Sequence, residues 1–208
     1  MAGVPGQGRK FDIDSALTAA MNMFWRQGYE GTTVAGLTKT MGISPPSLYA
    51  AFGDKRQLFD RVVEHYLSGP GAWMDRVFEE ETTVPGLVGR LLVEAAHHYA
   101  DPDEPGGCLV VNAGSTVMDS AVASVLRDQR NANVARLQDR LRSGDELGEL
   151  PNDVDPRAAA EFLAATIQGM STRARDGATV GELVAAAALA ARALDIDIRG
   201  QTTAPTYR

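Results

Sequence analysis

AAMNMFWRQGYEGTTVAGLTKTMGISPPSLYAAFGDKRQLF, residues Ala19 to Phe59, carries a close succession of helix starts and stops. The stripe that enters it, Ile13, Leu17, Ala20, Met21 and Phe24, recurs at helical spacing, and Gly28 stands where a helix end wants a residue free to adopt positive φ. Thr32 and Thr33 offer hydroxyls as N-caps to a short helix with Val34, Leu37 and Met41 inside, ended by Gly42. Ser44 can cap a third helix. Pro45 falls near its first position, where a missing N–H costs nothing, and Pro46 is tolerated in the same turn. That helix runs through Ser47, Leu48, Tyr49, Ala50, Ala51 and Phe52 and stops at Gly53; Asp54 then caps a fourth, with Leu58, Phe59, Val62, Val63 and Tyr66 on its inner side.

Two short helices joined by a tight Gly turn, here Met41-Gly42-Ile43-Ser44, form the general helix-turn-helix pattern. The turn crosses the two axes steeply and leaves the second helix protruding. Outward from this unit, Gly69-Pro70-Gly71 interrupts the fourth helix. Helical period then returns in Leu87 to Tyr99, Cys108 to Val117, Ser120 to Leu141, Pro156 to Arg175 and Val180 to Leu194. Strand signals are absent, so the expected fold is all-α with about nine helices. The expected organisation is a flexible basic arm over 1–11, a helix-turn-helix domain over 12–67, a larger helical domain over 68–198 and a disordered tail over 199–208.

The 44% apolar content of the 208 residues is enough for a packed core. No apolar run is long enough to cross a bilayer and no signal-peptide pattern opens the chain, so a cytoplasmic location is expected. A single cysteine, Cys108, excludes an intramolecular disulfide and a zinc finger. His97 and His98 are consecutive and point to different helix faces, so no metal and no cofactor are expected. The net charge of −7 is unevenly spread: residues 1–67 hold seven cations against six anions, and residues 68–208 hold thirteen against twenty-one. Screening confines the acidic body's repulsion to roughly 8 Å at physiological salt, so the near-neutral head can still meet phosphate.

From Ala19 to Phe59 the chain resembles the N-terminal domain of TetR-family (TetR/AcrR-type) transcriptional regulators. The matching residues are Phe24, Gly28, Tyr29, Thr32 and Thr33 at the entry, Gly42-Ile43-Ser44 at the turn, Leu48, Tyr49 and Phe52 in the reading helix, and Gly53-Asp54-Lys55 after it. The resemblance implies a homodimer whose last two helices form a four-helix interface with a partner copy. It also implies a helical domain that binds a small-molecule effector. One departure concerns the reading helix: Pro45, Pro46, Ala50 and Ala51 stand where relatives often carry longer polar side chains. Few bidentate base contacts are therefore available, and specificity is expected to lean on an arm in the minor groove or on DNA shape.

The residues expected to meet double-stranded DNA are Arg9 and Lys10 in the arm, Thr32 and Thr33 at a helix N-terminus, Ser44, Pro45, Pro46, Ser47 and Tyr49 on the reading helix, and Lys55. Tyr49 is the leading candidate. Lys55 opposes the dipole of its own helix, which points to an external anion. Leu48 and Phe52 are expected to face inward. Two copies of so short a helix would read a palindromic operator. In the second domain the candidate pocket residues are Trp73, Phe78, His98, Cys108, Asn112, Ser115, Met118, Phe162, Thr166 and Met170, apolar helix positions interspersed with a few polar groups.

These readings converge on a repressor released from its operator by a small molecule. An alternative is redox or electrophile sensing through Cys108, whose place at a helix start would lower the thiol pKa. No Ser-His-Asp set, phosphate loop or Glu-x-x-His pair supports an enzyme. An effector-free architectural DNA binder also remains open.

Overall fold

The computed structural model describes residues 11–114 and 117–198, and these residues form ten helices and no strand. The head comprises α1 (Ile13–Gly31), α2 (Val34–Met41), α3 (Pro45–Phe52) and α4 (Lys55–Ser68). The body comprises α5 (Trp73–Glu80), α6 (Val84–Tyr99), α7 (Leu109–Gly114), α8 (Ser120–Glu146), α9 (Pro156–Arg175) and α10 (Val180–Arg192). Arg9, Lys10 and Ser115 lie outside the described residues, as does the 199–208 tail.

Side-chain caps set most of the starts. Asp12, Thr33, Ser44 and Thr83 each accept a backbone N–H three residues on, as do Asp155 and Thr179. Asp54 and Gln57 satisfy one another's backbone donors in a capping box that opens α4. Within α1, Gly28 takes φ 71°, a left-handed value that turns the chain before Tyr29 and lets both Phe24 and Tyr29 face the head core. The expectation of about nine helices omitted α5. That helix is only eight residues long and begins just after the Gly-Pro-Gly interruption, so its period was too brief to read.

Two apolar cores result. The head core joins Phe24, Tyr29, Leu37, Leu48, Phe52, Leu58, Phe59 and Val62, with Phe59 set edge-on to both Phe24 (5.0 Å) and Tyr29 (5.1 Å). It also takes in Leu109, Val110 and Ala113 of α7 and Val122 and Leu126 of α8. The body core gathers α5, α6, α9 and α10 with Leu137 and Leu141 of the later part of α8. Thus α7 and the start of α8 belong to the head by packing. Two further ties cross the boundary: the Glu30 carboxylate accepts the backbone N–H groups of Met118 (2.9 Å) and Asp119 (3.2 Å), and Arg175 donates to the Arg26 carbonyl at 3.3 Å.

Candidate nucleic-acid interface and ligand cavity

The turn between α2 and α3 is made by Gly42 at φ 67°, ψ 29°, with the Gly42 and Ile43 N–H groups donating to the carbonyls of Lys39 and Thr38. This ends α2 and points α3 away from it. Leu48 and Phe52 face the core, and Phe11 closes over Phe52 with ring centroids 6.1 Å apart. Ser44, Pro45, Pro46, Tyr49 and Ala50 are exposed on the opposite side, and Ser47 is half-buried beside them. Tyr49 is 52% exposed, among the most exposed large side chains described. An unpaired tyrosine of this size on a two-turn helix is available to a partner rather than to the core.

The remaining head candidates occupy distinct settings. Thr33 is exposed, and its hydroxyl accepts the Gly36 N–H at 3.1 Å, leaving other N–H groups of the first α2 turn open to an anion. Thr32 requires a correction: its side chain is buried and its hydroxyl donates to the Gly28 carbonyl at 2.8 Å, where Gly28's turned backbone leaves that oxygen without a helical partner. The Lys55 ammonium stands 4.2 Å above the Tyr29 ring and is half-buried. Burial lowers its pKa, with Glu30 and Asp119 acting in the opposite sense. The Tyr29 ring thus supplies the cation with a partner inside the head.

In the body, a cavity of about 120 Å³ opens between α4, α5, α6, α8 and α9. Trp73, Met74, Phe78, Leu91, Val134, Leu137 and Ile167 give it apolar lining, and Gln129, Arg130, Asn133, Gln168, Tyr66, Tyr99 and Cys108 contribute polar groups. Tyr66 and Tyr99 are almost fully buried and line the cavity together with Cys108. Burial pushes the Cys108 thiol above its ordinary range, although the Tyr66 hydroxyl and the Val110 and Val111 N–H groups pull the other way. This corrects the expectation of a lowered thiol pKa: desolvation outweighs the hydrogen bonds and the Arg130 charge that act in the opposite sense.

Of the expected pocket residues, Trp73, Phe78 and Cys108 line this cavity. His98 instead stacks on the far side of Trp73 (5.3 Å) and opens on a second cavity of about 240 Å³ shared with Trp25, Asp101 and Glu104. Asn112 is buried and structural, its amide donating to the Gly106 carbonyl and its oxygen accepting from Ser171. Met118 is 84% exposed near the Glu30 cap, and Phe162 is 43% exposed on α9. Thr166 turns its hydroxyl back to the Phe162 carbonyl, and Met170 is packed in the body core. The expectation missed Tyr66, Tyr99 and the α8 amides. Tyr66 falls on the inner side of its helix and reads as ordinary core, and nothing local in the sequence distinguishes a tyrosine that lines a cavity.

Residues 16–62 match the family of bacterial regulatory proteins of the tetR type, and residues 88–191 match the tetracyclin repressor-like C-terminal domain. The HTH-type transcriptional repressor ComR of Escherichia coli (strain K12) is 34% identical over 182 residues, covering 86% of this chain and 87% of that one. The repressor BdcR of the same organism is 29% identical over 191 residues, covering 92% and 93%. A solved structure of the TetR family regulator CifR, a cysteine mutant complexed with 26-base-pair double-strand operator DNA, superposes with a TM-score of 0.85 at 37% identity. That match covers 91% of this chain and all of the other. With the head's motif residues in their places and both halves of the chain matched, this protein belongs to the TetR family of transcriptional regulators.

Proposed function

We propose that this chain is a homodimeric repressor that binds a palindromic operator and is released from it by a small molecule seated in the 120 Å³ cavity. The observation that carries the reading is α3, whose inner residues are locked in the head while Ser44, Pro45, Pro46, Ser47 and Tyr49 face outward. The CifR relative, 37% identical, is solved in complex with operator DNA, which supports DNA as the partner of this chain. The arm cations Arg9 and Lys10, the α2 N-terminus at Thr33 and the half-buried Lys55 complete the proposed DNA surface.

Dimerisation is supported by the outer faces of α9 and α10. Phe162, Ala165 and Gly169 form one exposed stripe, and Gly181, Ala185 and Leu189 form another. A Cβ added at Gly169 would meet nothing within 4 Å. A mid-helix glycine costs about 1 kcal/mol against alanine, so a glycine with open space beside it fits close approach by a second copy.

Selection of bound double-stranded DNA from a random pool tests this reading, followed by a screen of small molecules for release. The expected product is an inverted repeat with half-sites about one helical turn apart. Binding with steep salt dependence and no sequence preference would favour an architectural role instead. A second reading has one specific observation behind it, since the Cys108 sulfur lines the cavity: an effector that alkylates or oxidises Cys108 would act from the same place. A mass shift confined to Cys108, with release abolished in Cys108→Ser, is the expected signature.

A further inference from the structure

The cavity of the body carries one charge that its own lining leaves unbalanced. Arg130 lines it half-buried, and the acceptor its guanidinium has among the described residues is the Val110 carbonyl at 3.1 Å. No carboxylate of those residues pairs with it. The acid at the cavity, Asp75, is engaged with Arg136 instead. Val110 is a lining residue too, which sets the guanidinium at the wall with most of its N–H donors uncommitted. Along α8 the lining then changes character, from Gln129, Arg130 and Asn133 to Val134 and Leu137. That graded face, polar at one end and apolar at the other, is about 10 Å long at the rise of a helix.

We propose that the cavity binds a monocarboxylate with a single-ring apolar body, its carboxylate on the Arg130 guanidinium and its ring among Trp73, Phe78 and Leu137. The inference rests on the reading of this cavity as the effector site. A partly desolvated cation is stabilised by an anion that meets it, and a planar carboxylate matches the guanidinium fork with two parallel hydrogen bonds. The Gln129, Asn133 and Gln168 amides in the lining are the donors available to its remaining lone pairs. One cation calls for one negative charge, and a phosphate monoester would bring a second without a partner. The size follows from the volume: an engineered apolar cavity of about 150 Å³ holds benzene, and this one is about 120 Å³. Such a ligand would also join the two halves of the molecule. Arg130 grips α7, whose apolar residues pack in the head core, while Trp73 and Phe78 belong to the body core.

Phenylacetate and phenylacetamide share one apolar body and differ in charge, so titrating each into the full chain, followed by ligand-observed NMR and Trp fluorescence, tests the proposal. Phenylacetate is expected to bind at least about tenfold more tightly. That preference should vanish in Arg130→Gln and survive in reduced form in Arg130→Lys, which keeps the charge without the fork. Thermal unfolding shows whether each variant folds, and the comparison on the unaltered protein stands without them. Equal binding of the two probes, or tighter binding of the amide, overturns the carboxylate class and leaves the cavity as a site for neutral molecules. Binding of neither overturns the class as well, and the independent screen for operator release then decides the effector reading. A preference retained in folded Arg130→Gln overturns Arg130 as its source. Phenylacetate bound through Arg130 without release of selected operator DNA sustains the chemistry of the site and overturns its role as the effector site.

Discussion

The Arg61 guanidinium reaches from α4 to the Ala51 carbonyl at 3.1 Å, fastening the last turn of α3 to the head. The same group lies 4.9 Å over the Phe52 ring. A charged donor on a helix C-terminal carbonyl compensates an oxygen that has no helical partner of its own. Arg61→Leu is expected to destabilise the fold by about 1–2 kcal/mol, read as a shift in urea midpoint. It should also weaken operator binding, because α3 loses an anchor while keeping every outward residue. Unchanged affinity would mean that α3 is held by its apolar contacts alone.

Tyr49 and Leu48 are neighbours with opposite expected phenotypes. Tyr49→Ala should leave thermal stability within about 0.5 kcal/mol and lower operator affinity at least about tenfold, since the side chain is largely exposed. Leu48→Ala removes a fully buried side chain and should cost about 2–5 kcal/mol. Stability measured beside an operator titration separates the two; a Tyr49→Ala protein that binds normally excludes this residue from the interface.

Gly53 has φ 74°, and a Cβ there would lie 1.7 Å from the Gln57 side-chain oxygen that completes the α4 capping box. Gly53→Ala is therefore expected to cost more than about 1 kcal/mol, from backbone strain together with loss of the Gln57 cap. A companion Gly53→Ala/Gln57→Ala double variant should cost less than the sum of the two singles, because both act on one cap.

On α9, Gly169→Leu should fold, since leucine has the higher helix propensity, the position is exposed and a Cβ there meets nothing within 4 Å. It should sediment as a monomer and bind operator weakly. A dimer retained by this variant would move the subunit contact elsewhere.

Acid should cost stability through His98. Burial holds its imidazole below the ordinary value of 6.5, overriding the nearby Glu94, so the folded protein keeps the ring neutral. Its contribution is present in full above that ordinary value and is lost as pH falls through the lowered folded value. His98→Phe preserves a flat ring against Trp73, and its unfolding free energy should fall less steeply than wild type on acidification below about pH 6.5. An identical pH slope in both proteins would show that His98 does not titrate between the two states.

How much of this was legible in the sequence depends on how local each cause is. The head was readable because its determinants lie within a few residues of where they act: Thr33, Ser44 and Asp54 cap the helices they precede, and Gly28, Gly42 and Gly53 hold the left-handed values their turns need. Tyr49 outward and Leu48 inward follow from the helical period alone. The cavity was legible only in part. Trp73, Phe78 and Cys108 carry a chemical signal wherever they fall, whereas Tyr66 and Tyr99 matter because helices distant in sequence bring them into the lining of one cavity. Thr32 shows the converse: its hydroxyl was claimed by a carbonyl that Gly28 exposes, a consequence of the kink rather than of the threonine.

The apolar residues of α7 and the first turns of α8 are buried against α1 and α4. A chimera that grafts this head onto another regulator by cutting near residue 67 would leave Phe24, Phe59 and Val62 without Leu109, Val110, Ala113, Val122 and Leu126. A viable exchange of operator specificity must therefore either carry α7 and the start of α8 along with the head or restrict itself to the few outward residues of α3. The seam along which these proteins can be recombined is set by the core and not by the order of the chain.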